Sequence, residues 1–237
     1  MSAVIPVPSR VRAVDWTLVA GLSIAGVIAW LQPFDLAFAA LTLGNPALRA
    51  LAIVAMALVG LGVGERLGMT IRPTNTRRPI VFPITVAAAV AVGCALADWL
   101  LSPDPHGKFQ QMILSTPLQA RLTYFILRAV NENILYRLFL GSVLVWLIGR
   151  VWKAADGRPA GGAYWLGFLL AQVLNIWVNV TSLAPVTPHA LLHDAVRYVG
   201  PGMVWAWLYR RHGFQSNEIA CASGHLFYQP LVILGLH

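Results

Sequence analysis

The chemistry-bearing stretch of this chain is Asn131-Glu132-Asn133-Ile134-Leu135-Tyr136-Arg137. Glu132 and Arg137 stand about one and a half helical turns apart, and a carboxamide and a phenol lie between them. Strongly apolar residues flank the stretch, Leu122 to Val130 before it and Leu138 to Ile148 after it. A carboxylate at the centre of an apolar membrane-length helix costs roughly 2.5–3.5 kcal/mol on insertion scales, so it needs a partner or a use. Shielded from bulk water and set beside imidazoles and carboxamides, Glu132 could take a proton from one water molecule.

Further polar residues lie inside apolar runs: Asp98, Arg128, Gln172, Asn175, Asn179, His189, His193, Asp194, Arg197, His225 and Gln229. Most fall in the second half of the chain, and their spacings place them on shared helix faces. Asn133 and Arg137 are four apart, as are Glu132 and Tyr136, Phe168 and Gln172, and His225 and Gln229; His189, His193 and Arg197 form a stripe at the same interval. Intramembrane ionisable groups face a bundle interior or a wet cavity and pair with one another. The expectation is one polar chamber built by the last four apolar helices, with the first three as wall. A pair of histidines four apart could also bind a metal, but no glutamate lies between them and no third ligand is evident.

The elements that must position these groups follow from composition. The chain has 237 residues, 58% hydrophobic and 11% charged, with a mean hydropathy of +0.68. An ordinary soluble domain is about 25% charged. The class is all-α: a polytopic transmembrane helical bundle of about seven to eight membrane helices, in one domain over residues 1–237 with a motif-bearing core at 118–236. Apolar spans are expected at about Trp16–Leu31, Pro46–Gly64, Pro79–Leu101, Leu118–Val151, Ala163–Leu183, His189–Tyr209 and Asn217–Leu236, with a shorter interfacial or re-entrant piece at Phe34–Leu43. The fourth span exceeds the roughly 20 residues a bilayer needs, so tilting, kinking or extension is expected.

The formal charge of +8 and pI near 10.2 would suggest nucleic acid in a soluble protein. Here eleven of the 17 basic residues fall in alternate loops, around Arg10, Arg66 to Arg78, Arg150 to Arg158, and Arg210 with Arg211. That is the positive-inside pattern, and it places the N-terminus in the cytoplasm. Arg49, Lys108 and Arg121 fall on the other side. No cleavable signal is evident. Cys94 and Cys221 read as two buried thiols. Nucleic acid is not an expected partner, and no cofactor is implied.

The motif order resembles the CPBP intramembrane proteases, bacterial glutamic-type peptidases related to the eukaryotic Ras-converting CAAX endopeptidase. Their pattern is EExxxR, FxxxH and HxxxN, each on its own membrane helix. Glu132-Asn133 with Arg137 stands at the first motif, Phe168 with Gln172 at the second and His225 with Gln229 at the third. The resemblance covers about Leu118 to Leu231. It implies an endopeptidase of the bacterial inner membrane, acting on a peptide or protein tail at the bilayer. Glu132 would activate water, His225 with Gln229 would hold the oxyanion, and Asn133, Arg137 and Gln172 would position the network. Phe168, Asn175 and Tyr136 would contact substrate.

Three motif residues differ: Asn133 replaces a glutamate, Gln172 a histidine and Gln229 an asparagine. Gln172 can donate a hydrogen bond but cannot carry a proton. Either His189 or His193 takes the missing imidazole's place, or the protein is a weakened or non-catalytic scaffold or immunity factor on the same fold. Glu132 could equally be a structural ion pair with Arg128 or Arg197.

Overall fold

The computed structural model describes residues 15–32, 36–38, 41–74, 77–102, 114–179 and 187–236. They form seven helices and one short hairpin. Helix α1 is Trp16–Leu31, α2 is Pro46–Arg66 and α3 is Val81–Leu101. Helix α4 covers Leu118–Val151, α5 is Gly161–Asn179, α6 runs over 188–212 and α7 is Phe214–Leu236. Among the described residues α2, α3 and α4 are long and apolar enough to cross a membrane, and α1 is a shorter apolar helix. Within the expected apolar piece at Phe34–Leu43, the described residues Leu36–Phe38 pair antiparallel with Leu41–Leu43. The hairpin pairs its own backbone groups, as an apolar segment too short to span must do.

Helix starts follow local chemistry. Asp15 accepts from the amides of Thr17 and Leu18 at the start of α1. Asn45 does the same for Ala47 and Leu48 at the start of α2, with Pro46 in the first helical position. The C-terminus of α1 is capped from outside. Arg49 is buried and donates to the carbonyls of Ala29 at 2.6 Å, Gln32 at 2.7 Å, and Trp30 and Leu43 at 3.4 Å. Arg49, inside the expected span, is thus a capping group for a neighbouring helix. It answers carbonyls that the end of α1 leaves without helical partners. Gln32 in turn accepts a short hydrogen bond from the Asn131 amide, tying α1 to α4.

Helix α4 is the axis of the bundle. Every residue from Asn133 to Leu138 is buried, so protein encloses the helix all round. It is α-helical over Leu118–Glu132, π-helical over Asn133–Gly141 and α-helical again over Ser142–Val151. A π segment takes extra residues per turn and re-aims the side chains within it. Here it begins at the residue after Glu132, within the chemistry-bearing stretch. Its apolar side chains Ile134, Leu135, Tyr136 and Leu138 join Ile53 and Ala57 of α2 in the main core. Gly60 permits that approach, since a Cβ there would strike the Leu138 carbonyl.

One face of the bundle gathers the basic loops. Arg72 pairs with Asp15 at 3.6 Å, the Tyr164 hydroxyl donates to the Leu67 carbonyl at 2.7 Å, and Arg210 lies over the Tyr164 ring. The start of α7 is pinned to the same loop, where Phe214 and Gln215 amides donate to Thr70 and Ile71 carbonyls at 2.9 Å. Gly213 makes this junction at φ +88°, where a Cβ would also run into the Arg72 carbonyl. At the opposite face the end of α3 meets the start of α6.

Replacing Arg49 by Ala is expected to lower stability by about 2–3 kcal/mol, the scale of charged hydrogen bonds left unmade. Arg49→Lys should recover only part, since an ammonium cannot span the same carbonyls. Thermal unfolding of the solubilised protein measures both.

Candidate functional site

The Glu132 stretch faces α7, which runs antiparallel to α4. Phe125 stacks on the His225 ring with centroids 5.3 Å apart and planes 15° from parallel. Arg128, one turn on from Phe125, lies within electrostatic reach of His225. Cys221 is within reach of Glu132, Glu218 and Arg137. Glu218 lies beside Asn133 and Arg137. The seam thus carries polar groups from Phe125 and His225 down to Arg137 and Glu218, near the basic face.

Each group on the seam is held differently. Glu132 accepts from Arg128 Nε at 2.6 Å, and both side chains are about a quarter exposed (21% and 27%). Arg137 is buried and donates to Gln172 Oε1 at 2.5 Å. Gln172 also donates to the Tyr198 carbonyl at 3.0 Å and lies against Gly202, where any Cβ would collide with it. This joins the first and second motif positions across α4, α5 and α6. Several buried polar atoms close no hydrogen bond with protein: both amide atoms of Asn133, Asn217 and Gln229, both carboxylate oxygens of Glu218, and His225 Nδ1. Such groups cost about 1–3 kcal/mol each when nothing satisfies them.

The polar groups form two clusters that meet at His225, which lies within electrostatic reach of Arg197 as well as Arg128 and edge-on to the Tyr228 ring at 6.5 Å. The second lies around Asp98 of α3, near the opposite face. Asp98 accepts from Arg197 Nε at 3.0 Å and from the Tyr228 hydroxyl at 2.5 Å, and its carboxylate lies 3.1 Å from His193 Nε2. His193 Nδ1 is 3.1 Å from Asp194, and Arg197 also covers the Tyr228 ring at 4.2 Å. All of these groups are answered within the protein, so His193 works as a link between α3 and α6. His189 is exposed, with its Nε2 2.7 Å from the Leu101 carbonyl. Neither histidine is brought to Gln172, because burying Asp98 demands donors that the α6 stripe supplies. The histidine pair has separate partners, and among the described residues no group of three metal-ligating side chains occurs.

The remaining expected site residues sort by burial. Phe168 and Tyr136 are enclosed in the main core, with Phe168 edge-on to Tyr209 at 6.0 Å. Asn175 is buried on α5. The side chain of Asn179 lies outside the described residues. A shallow apolar groove along Leu118, Leu122 and Ile126 of α4 includes none of the site residues. The sequence reading passed over Glu218. It precedes His225 by seven residues and Gln229 by eleven, so all three share one face of α7, and that periodicity was its available signal.

No protein-family model matches the chain, and no curated protein or solved structure shows significant similarity to it.

Asp98→Ala is expected to cost about 3–5 kcal/mol, because it leaves the buried Arg197 without its carboxylate. Tyr228→Phe, which removes one hydrogen bond, should cost about 1 kcal/mol. Denaturation midpoints of the two variants test this ordering.

Proposed function

We propose that the protein is an integral-membrane endopeptidase of the glutamic type, cleaving a peptide or protein tail close to the bilayer. The observation that carries this reading is the α4–α7 seam. Glu132 is bound to Arg128, which lies within electrostatic reach of His225, while Arg137 is hydrogen-bonded to Gln172 of α5. Helices α4, α5 and α7 thus carry a carboxylate, a guanidinium–carboxamide pair and an imidazole along one seam, which supports this reading. Glu132 would accept a proton from the attacking water. His225 and Gln229 would hold the developing oxyanion, and Asn133, Arg137 and Gln172 would keep the network in place. The gathering of basic loops on one face supports an orientation with that face toward the cytoplasm, in a bacterial inner membrane on this proposal.

A second reading, a non-catalytic membrane scaffold on this fold, is favoured by the Arg128–Glu132 pair itself. A carboxylate held by a guanidinium at 2.6 Å serves as a helix brace without any reaction.

Glu132→Gln separates the two. Membranes bearing the wild type should show protein N-termini that are lost with Glu132→Gln, with cleavage falling by about 10²-fold or more. Mass spectrometry of newly formed N-termini reads this directly. An unchanged pattern with the folded variant would leave the scaffold reading standing.

A further inference from the structure

Glu218 stands in the second turn of α7, just inside the basic face. Both its carboxylate oxygens are shielded and close no hydrogen bond with protein, although Asn133 and the Arg137 guanidinium are its polar neighbours. Neither amide atom of Asn133 closes a hydrogen bond either. Cys221, less than one turn along α7, lies within electrostatic reach of both Glu218 and Glu132. Both carboxyl groups therefore lie near Cys221 on α7. Their surroundings differ sharply. Glu132 is tied to Arg128 at 2.6 Å and partly exposed, whereas Glu218 is enclosed and closes no hydrogen bond. Two carboxyl groups in contrasting environments are the arrangement that divides base from acid.

We propose that Glu218 is a second catalytic carboxyl, the acid that protonates the leaving nitrogen of the cleaved peptide bond. This rests on the peptidase reading above. Glu132 takes a proton from water as the water oxygen bonds to the carbonyl carbon. When the tetrahedral intermediate collapses, the C–N bond breaks and its electron pair stays on nitrogen. Glu218 delivers its proton to that nitrogen. The proton on Glu132 then passes to Glu218 through a second water, so both carboxyls end as they began and one water is consumed. Asn133 and the Arg137 guanidinium are the polar groups beside the Glu218 carboxyl on the seam. The acid is supplied by α7 at a place where α4 offers only the amide of Asn133.

Two measurements on the full chain in lipid test the assignment. The first is coupling to dicyclohexylcarbodiimide, an apolar reagent that reacts with carboxyls carrying a proton, mapped by mass spectrometry. An adduct on Glu218 that Glu218→Gln abolishes is expected; absence of that adduct overturns the proposal whether or not cleavage has been observed. The second uses an anchored synthetic peptide bearing one cleavage sequence found by the N-terminal mapping. Glu218→Gln should lower kcat at least tenfold with little change in KM. The double variant Asn133→Glu with Glu218→Gln, which returns a carboxyl to the same place from α4, should recover much of the rate. Wild-type kcat in folded Glu218→Gln beside an inactive Glu132→Gln overturns the acid role alone. Wild-type cleavage by Glu132→Gln overturns the peptidase reading and the acid role with it.

Discussion

Guanidinium groups inside an apolar bundle set the conditions that this fold has to meet. An arginine cannot shed its proton, and it offers five donors and no acceptor. Its neighbours must therefore be arranged around it. Arg49 is met by four carbonyls from the end of α1 and the hairpin. Arg197 is met by Asp98, Arg128 by Glu132, and Arg137 by Gln172. The Arg49, Arg197 and Arg137 solutions join separate elements or fix a helix end, so these cations act as the joints of the structure, whereas the Arg128–Glu132 pair braces α4 internally. Apolar packing between lipid-like surfaces supplies little specificity of its own.

The α4 helix shows how the joints and the chemistry are combined. Its first part carries Arg128 and Glu132 on one α-helical face. The π segment then turns Asn133 and Arg137 toward α5 and α7 while Tyr136 and Leu138 pack in the core. A regular helix would carry its α-helical repeat of faces through the stretch without that re-aiming. The junction at Gly213 completes the arrangement, because it pins the start of α7 to the loop after α2 and sets the depth of Glu218 along the seam.

The two polar regions differ in how fully they are satisfied. Asp98, His193, Arg197 and Tyr228 answer one another and read as a clasp between α3, α6 and α7. Along the α4–α7 seam, Glu218, Asn133, His225 and Gln229 retain buried polar atoms without one. Buried polar groups left unanswered within a fold concentrate where a ligand, water or reaction is to be accommodated. That contrast separates a structural cluster from a candidate reactive one, although both are built from the same residue types.

Much of the fold was legible in the chain. Runs of apolar residues interrupted by Arg, Pro and Gly set helix positions close to those found, because hydropathy and helix-breaking chemistry are local properties. The unusual character of the Glu132 stretch was legible for the same reason: an acid in apolar surroundings is costly wherever its helix packs. Partner choice was not. The His189–His193–Arg197 stripe has a periodicity that would suit a catalytic chamber, yet Asp98, about a hundred residues earlier, claims two of its members. The capping role of Arg49 is not legible, because nothing in its sequence neighbourhood reveals that the end of α1 lies against it. Glu218 became notable only once Asn133 and Arg137 were placed opposite it. Sequence by itself determined which segments are apolar helices and which side chains are too polar to lie among them unattended. Tertiary structure alone decided which of those side chains answer one another, since burial and pairing depend on distances across helices that no local pattern encodes.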